Sequence, residues 1–210
     1  MVRFDRLSDL QVTRIALYNR RMIEVTPAHD FAGIATMLGP KKPESSVCWC
    51  LSWRLSSAEN RSLTGVDRAE KVRELTRRPI APGVLARDDG EVVGWAGVAP
   101  RSDLHPIEHS RKIPHVDDLP VWSVWCIRVR PGFRRRGITA ALIDGAVDYA
   151  RASGAPVAES YPVDNGDRRV DQTMAFVGTR AMFERAGFSK VADTDSVSGG
   201  IPRIVMRLGL

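Results

Sequence analysis

Five arginines fall within nine residues, Arg128, Arg130, Arg134, Arg135 and Arg136, and the last is followed by Gly137. Guanidinium groups are permanent cations whose donors match the oxygens of phosphates and carboxylates. The residues before the cluster, WSVWCIRV at 122–129, form an apolar run of strand length, and Pro131-Gly132 marks a turn. After it, Ile138, Ala141, Leu142, Gly145, Ala146 and Tyr149 recur at helical spacing, with Asp144, Asp148 and Arg151 opposite. A basic, glycine-containing loop between a strand and a helix is a physical recipe for holding phosphate. The first N–H groups of a helix have no intrahelical partner, and the helix dipole favours negative charge there.

A solvated basic run and a nucleic-acid patch are the competing readings. Arginine runs in nucleic-acid binders come with aromatic platforms or a groove-reading helix. Here the following helix carries Asp144 and Asp148, which repel a phosphate backbone, so no nucleic-acid partner is expected. The net charge of +6 suits an anionic partner, but its concentration at one place points to a local anion site.

The 210 residues suit one domain with a short extension: residues 1–20 as an N-terminal extension and 21–210 as a single domain. No apolar run is long enough to cross a bilayer, and no signal-peptide core follows Met1; a cytoplasmic protein without a membrane partner is expected. Cys48, Cys50 and Cys126 are expected as reduced thiols. No metal is expected, since neither Cys48-Trp49-Cys50 nor the His105/His109 pair has the further ligands a zinc site needs.

Upstream, apolar residues Leu7, Leu10, Ile15 and Leu17 hint at a weak helix, and 21–25 reads as a strand. Thr26-Pro27 is expected to start a helix that Gly39-Pro40 ends. Residues 47–55 (VCWCLSWRL) read as a buried strand and 67–78 as a helix stopped by Pro79. Residues 83–87 and 91–98 around Asp88-Asp89-Gly90 give the clearest hairpin signal. Residues 101–120, interrupted by prolines, are expected to be irregular. Downstream, 157–163 reads as a strand, 173–186 as a helix closed by Gly187-Phe188, and 188–192 and 202–208 as final strands. Alternation of this kind argues for an α/β sandwich around a mixed sheet.

With that order in place, Arg134-Arg135-Arg136-Gly137-Ile138-Thr139-Ala140 resembles the acetyl-CoA signature of the GNAT superfamily of N-acyltransferases. Ile127-Arg128-Val129-Arg130-Pro131 resembles the end of the preceding family strand, and Met182 to Phe188 the family's C-terminal helix with its Gly-Phe stop. The hairpin ending at Val98 extends the likeness upstream. The resemblance implies a mixed, splayed central sheet flanked by helices on both faces. It implies acetyl-CoA as co-substrate and a primary amine of a small molecule or protein as acceptor. Backbone groups near Ile127, Arg128 and Val129 would pair with the pantetheine arm. Arg134, Arg135, Arg136, Gly137, Ile138, Thr139 and Ala140 would hold the pyrophosphate. Oligomeric state stays open, with a homodimer allowed.

Two positions depart from the family pattern. Thr139 stands where Gly or Ala is usual, and its branched Cβ crowds a close backbone approach. Phe183 occupies the position of a tyrosine that protonates the departing thiolate, and phenylalanine has no proton to give. An acyl-CoA-binding protein with little or no turnover is therefore the second reading. For a general base the candidates are Glu159, Asp164 and Glu91, and for a substitute acid Tyr161, two residues beyond Glu159 on the same strand face. Glu159 reads equally well as a buried carboxylate paired with an arginine.

Overall fold

The computed structural model describes residues 13–18, 21–42, 45–170 and 176–210. Among the described residues there are eight strands: β1 (Arg14–Tyr18), β2 (Arg21–Pro27), β3 (Gly83–Asp88), β4 (Glu91–Pro100), β5 (Trp122–Val129), β6 (Val157–Ser160), β7 (Ser189–Ser198) and β8 (Ile201–Gly209). They form one sheet in the order β1-β2-β3-β4-β5-β6-β8-β7. Neighbouring strands are antiparallel except β5 and β6, which run parallel. A parallel pair needs a crossover. That crossover contains the arginine loop and helix α5 (Ile138–Ala152).

Helix α5 lies across one face of the sheet. Ile138, Ala141, Leu142, Ala146 and Tyr149 are buried in a core with Val25, Val84, Ala96 and Val124. A Cβ on Gly145 would lie 2.4 Å from Val25 Cγ1, so glycine sets the distance of the helix from β2. The Tyr149 hydroxyl accepts the Ala81 N–H at 2.8 Å, which fixes the far end of the helix. Asp144 and Asp148, on the outer side, pair with Arg14 of the edge strand β1. The opposite face carries a second core beneath α1 (Phe31–Leu38), α3 (Gly65–Thr76) and the 48–55 segment, with the short α2 (Ser57–Ser62) leading into α3. Among the described residues no helix is long and apolar enough to cross a membrane.

Local signals were reliable where both caps and period agreed. The 83–100 hairpin turns at Asp89 and Gly90, both at positive φ, and α5 follows Gly137 as expected. Several expectations need correction. Residues 14–18 are an edge strand, not part of a helix; Leu7 and Leu10 lie outside the described residues. The helix expected at Pro27 begins at Phe31, because β2 continues through Pro27 opposite Val84.

Residues 47–55 are not a strand. Trp49 and Cys50 adopt positive φ and Leu51–Trp53 form a 3-10 turn. Two left-handed residues break the period-2 pattern, and the contacts that hold them are tertiary. Part of 101–120 is helical, with a 3-10 turn at Arg101–Asp103 and α4 (His105–Glu108). The helix expected over 173–186 is shorter, α6 (Arg180–Arg185); residues 173–175 lie outside the described residues. The strand expected over 188–192 is longer, since β7 continues to Ser198 with an irregularity between Asp193 and Val197, and the turn into β8 is confined to Gly199-Gly200.

Candidate functional site

The strand β5 borders β4 along its whole length but borders β6 only briefly. The β5–β6 ladder consists of Trp122↔Ala158, Ser123↔Glu159 and Val124↔Ser160. Beyond Val124 the two strands part, while β5 stays paired to β4 through Val129↔Gly94. The edge of 125–129 facing away from β4 is thus free of β6. The Ile127 N–H on that edge donates to the Phe176 carbonyl at 2.7 Å. The Arg130 N–H points the other way, to Val93 of β4. Backbone alternation then places the Val129 N–H on the same side as that of Ile127.

The loop from Arg130 to Gly137 leads from this edge to the start of α5. Its Arg135 and Gly137 lie at φ 62 and 83. Gly137 is the residue before the helix and offers no side chain to cap it, so the first N–H groups of α5 receive no side-chain cap from it. Two of the cluster arginines are already engaged. Arg130 binds Glu91 at 2.7 Å and the Val92 carbonyl at 2.9 Å, and Arg136 approaches Asp88 at 3.9 Å. Both guanidinium groups lie against the Phe133 ring. Arg128, Arg134 and Arg135 are exposed and pair with no carboxylate among the described residues. Thr139 is half-buried at the second position of the helix. Open N–H groups, a helix start and unpaired cations fit a pyrophosphate.

Glu159 and Tyr161, proposed from sequence as base and acid, do come together. The Tyr161 hydroxyl donates to Glu159 Oε1 at 2.6 Å and lies 2.8 Å from Ser123 Oγ. Both residues are 0% exposed. Glu159 also accepts from Arg101 at 2.7 Å through Oε1 and from Arg207 at 2.7 Å through Oε2. Arg207 in turn holds Asp117 at 2.6 Å. Burial first, then the Glu159 charge, pushes the Tyr161 phenol well above its ordinary pKa. The network ties the 100–120 segment to β5, β6 and β8.

The other base candidates are elsewhere. Asp164 approaches Arg180 at 3.4 Å, and Glu91 is paired with Arg130 on the hairpin. Phe183 is 0% exposed and packs edge-on against Phe188, 5.1 Å between centroids, in the α5-side core. His105 and His109 stack at 4.4 Å, and no group of metal-ligating side chains forms among the described residues. Trp49, Trp95 and Trp122 are core residues. Trp53 is partly exposed and meets Phe176 edge-on at 6.1 Å.

Sequence reasoning missed the partners of Glu159. Arg101 and Arg207 lie 58 and 48 positions away, yet a signal existed. A lone Glu in Val157–Ser160 and a lone Arg in Ile204-Val205-Met206-Arg207-Leu208 each interrupt an apolar strand, and buried charges are rarely unpaired. Also missed was Arg203, buried between the rings of Trp53 and Phe176 at 5.4 and 5.2 Å and donating to the Tyr161 carbonyl at 3.0 Å. Burial lowers its guanidinium pKa.

Comparison with known proteins bears on the whole arrangement. No curated protein sequence matches the chain significantly. Among solved structures, the fold is similar to an uncharacterized protein from Bacillus halodurans at TM-score 0.55 and 8% identity, covering 94% of this chain and 90% of that one. RimJ from Mycobacterium smegmatis, in complex with CoA-disulfide, superposes at TM-score 0.53 and 15% identity over 94% and 86%. The protein yncA from Salmonella typhimurium, with its cofactor acetyl-CoA, superposes at 0.51 and 16% over 90% and 94%. At such identities the likeness concerns the fold alone. The sequence itself matches the acetyltransferase (GNAT) family model over residues 51–188, a span that holds the hairpin, the parting strands and the arginine loop. The chain belongs to the acetyltransferase (GNAT) family.

Proposed function

We propose that the protein transfers an acetyl group from acetyl-CoA to a primary amine of a small molecule or protein. The observation that carries this reading is the uncapped start of α5 behind Arg134, Arg135 and Arg136, placed beside the edge where β5 leaves β6. The family's activity and the solved relatives that hold acetyl-CoA or CoA-disulfide agree with it.

In this reading the N–H groups of Ile138, Thr139 and Ala140, with the exposed arginines, hold the pyrophosphate. The pantetheine arm takes the open edge of β5, pairing at Val129 and replacing the Phe176 carbonyl at Ile127. A backbone N–H on this edge stabilises the oxyanion as the amine nitrogen attacks the thioester carbon. The C–N bond forms, the C–S bond breaks, and the amine proton leaves as the thiolate gains one. Phe183 supplies no proton, and its ring belongs to the core.

Glu159 and Tyr161 serve this reaction best as positioning residues. Each is fully buried and already bonded, Glu159 to two arginines and Tyr161 to Glu159 and Ser123. The Glu159 oxygens are taken up by two guanidinium groups and the Tyr161 hydroxyl, and a phenol with a raised pKa is a weak acid. Proton transfer then falls to solvent at the open edge.

A second reading, acyl-CoA binding with little turnover, is favoured by that same lack of a placed acid. One experiment separates the two: thiol release from acetyl-CoA across an amine panel, beside a calorimetric titration with CoA. Acetyl transfer predicts amine-dependent release. Binding with no release for any amine would select the second reading, and absence of binding would sink both.

A further inference from the structure

Cys50 and Cys126 are 76 positions apart in the chain, yet their sulfurs meet at 2.9 Å. Both are buried, at 6% and 3% exposure. Closing a disulfide needs sulfurs about 2.0 Å apart, so the pair stands about 0.9 Å short of bonding.

The backbone is bent to bring them together. Trp49 and Cys50 hold φ of 50 and 57, the left-handed region that non-glycine residues rarely adopt. Trp49 is secured there by stacking on Phe31, with centroids 5.9 Å apart and planes at 15°. No metal-ligating group forms among the described residues, and neither thiol has a part in the proposed acyl transfer. Both therefore lack a role that explains a strained turn aimed at the central strand.

We propose that Cys50 and Cys126 are a redox modification site, forming an intramolecular disulfide with a low-molecular-weight disulfide as the oxidant. When the 48–55 segment opens, one cysteine thiolate attacks the small disulfide, whose S–S bond breaks and releases one small thiol. The second cysteine thiolate then attacks the protein-side sulfur of the mixed disulfide, and the second small thiol leaves. The two protein thiols lose two electrons, the small disulfide gains them, and the two protons end on the small thiols.

The hydrogen bond to Cys126, then burial, pushes the Cys50 thiol well above its ordinary pKa. Oxidation is accordingly slow and gated by opening, and the closed bond is shielded from reductants. Cys48 is exposed, sits 3.0 Å from Ser52 Oγ, and stays outside the pair. The cross-link fixes a segment that carries Arg54, which lies over Trp125 at 4.8 Å, and Trp53, which meets Phe176. It anchors that segment to the residue just before Ile127.

The test uses the full chain, reduced and then incubated in the native state with oxidised glutathione for hours to days. Remaining thiols are alkylated in denaturant, and peptides are mapped by mass without reduction. The expected result is a Cys50–Cys126 cross-linked peptide two hydrogens lighter than the free pair, with Cys48 alkylated or glutathionylated. The thermal midpoint should rise on the order of 10 °C, reverting with dithiothreitol. The Cys48→Ser variant, altered only at an exposed position, should form the same cross-link; Cys126→Ala should form none and show no midpoint shift. Recovery of Cys50 and Cys126 as alkylated thiols in both the native chain and Cys48→Ser would overturn the proposal. So would pairing of Cys48 with either cysteine in place of the 50–126 link.

Discussion

The arginine loop and the Glu159 network are both concentrations of charge beside β5, and they are opposite in condition. In the loop, Arg134 and Arg135 are exposed and the start of α5 is uncapped. In the network, Glu159 is fully buried and each of its oxygens meets a guanidinium. Groups left open at a helix start suit a ligand from outside. Groups that satisfy one another inside the fold hold the fold. The charge pattern alone does not tell these apart; the partners do.

The largest effect that separates the two regions is expected from Glu159→Ala. Removing the carboxylate leaves the buried Arg101 and the half-buried Arg207 without their shared partner, at a cost of about 3–5 kcal/mol. Urea unfolding measures it, and a loss below about 1 kcal/mol would show that the network is not structural.

Next comes Phe183→Tyr, which restores the residue type usual in the family at a position sealed within the core. The added hydroxyl is expected to cost about 1–3 kcal/mol without raising turnover. A gain in thiol release without loss of stability would instead place this ring at the reacting centre.

A smaller effect concerns pH. The Tyr161 phenol is raised by burial and by Glu159, so its protonated form is favoured in the folded chain. Its contribution is complete below the unfolded value of about 10 and is lost as pH rises from there toward the folded value. Stability should therefore fall above about pH 10, and less steeply in Tyr161→Phe, which itself costs about 1 kcal/mol at neutral pH. Absorbance at 295 nm follows the ionisation directly; a Tyr161 that titrates near 10 would mean the network is open to water.

The same contrast explains what the sequence disclosed. Elements governed by neighbours in the chain were readable: Asp89-Gly90 turns the hairpin, Gly137 opens α5, and Gly187-Phe188 closes α6. The arginine cluster was readable because its residues are contiguous. Segment 47–55 was misread because the positive φ of Trp49 and Cys50 depends on Phe31 and Cys126, which no local period reveals. Glu159 was found as a residue but not as a hub, since its partners arrive from the ends of β4 and β8. The Phe176 carbonyl at Ile127 was equally hidden, being a backbone contact across 49 positions with no side-chain signature.

The most direct test of the central claim is a calorimetric titration of CoA into the native chain and into the double variant Arg134→Ala, Arg135→Ala, whose two side chains are exposed. The account predicts binding that weakens with salt in the native chain and a loss of about 100-fold in the variant, with unfolding stability changed by less than about 0.5 kcal/mol. Equal CoA affinity in the two proteins would contradict it, because the open loop would then not be where the pyrophosphate is held.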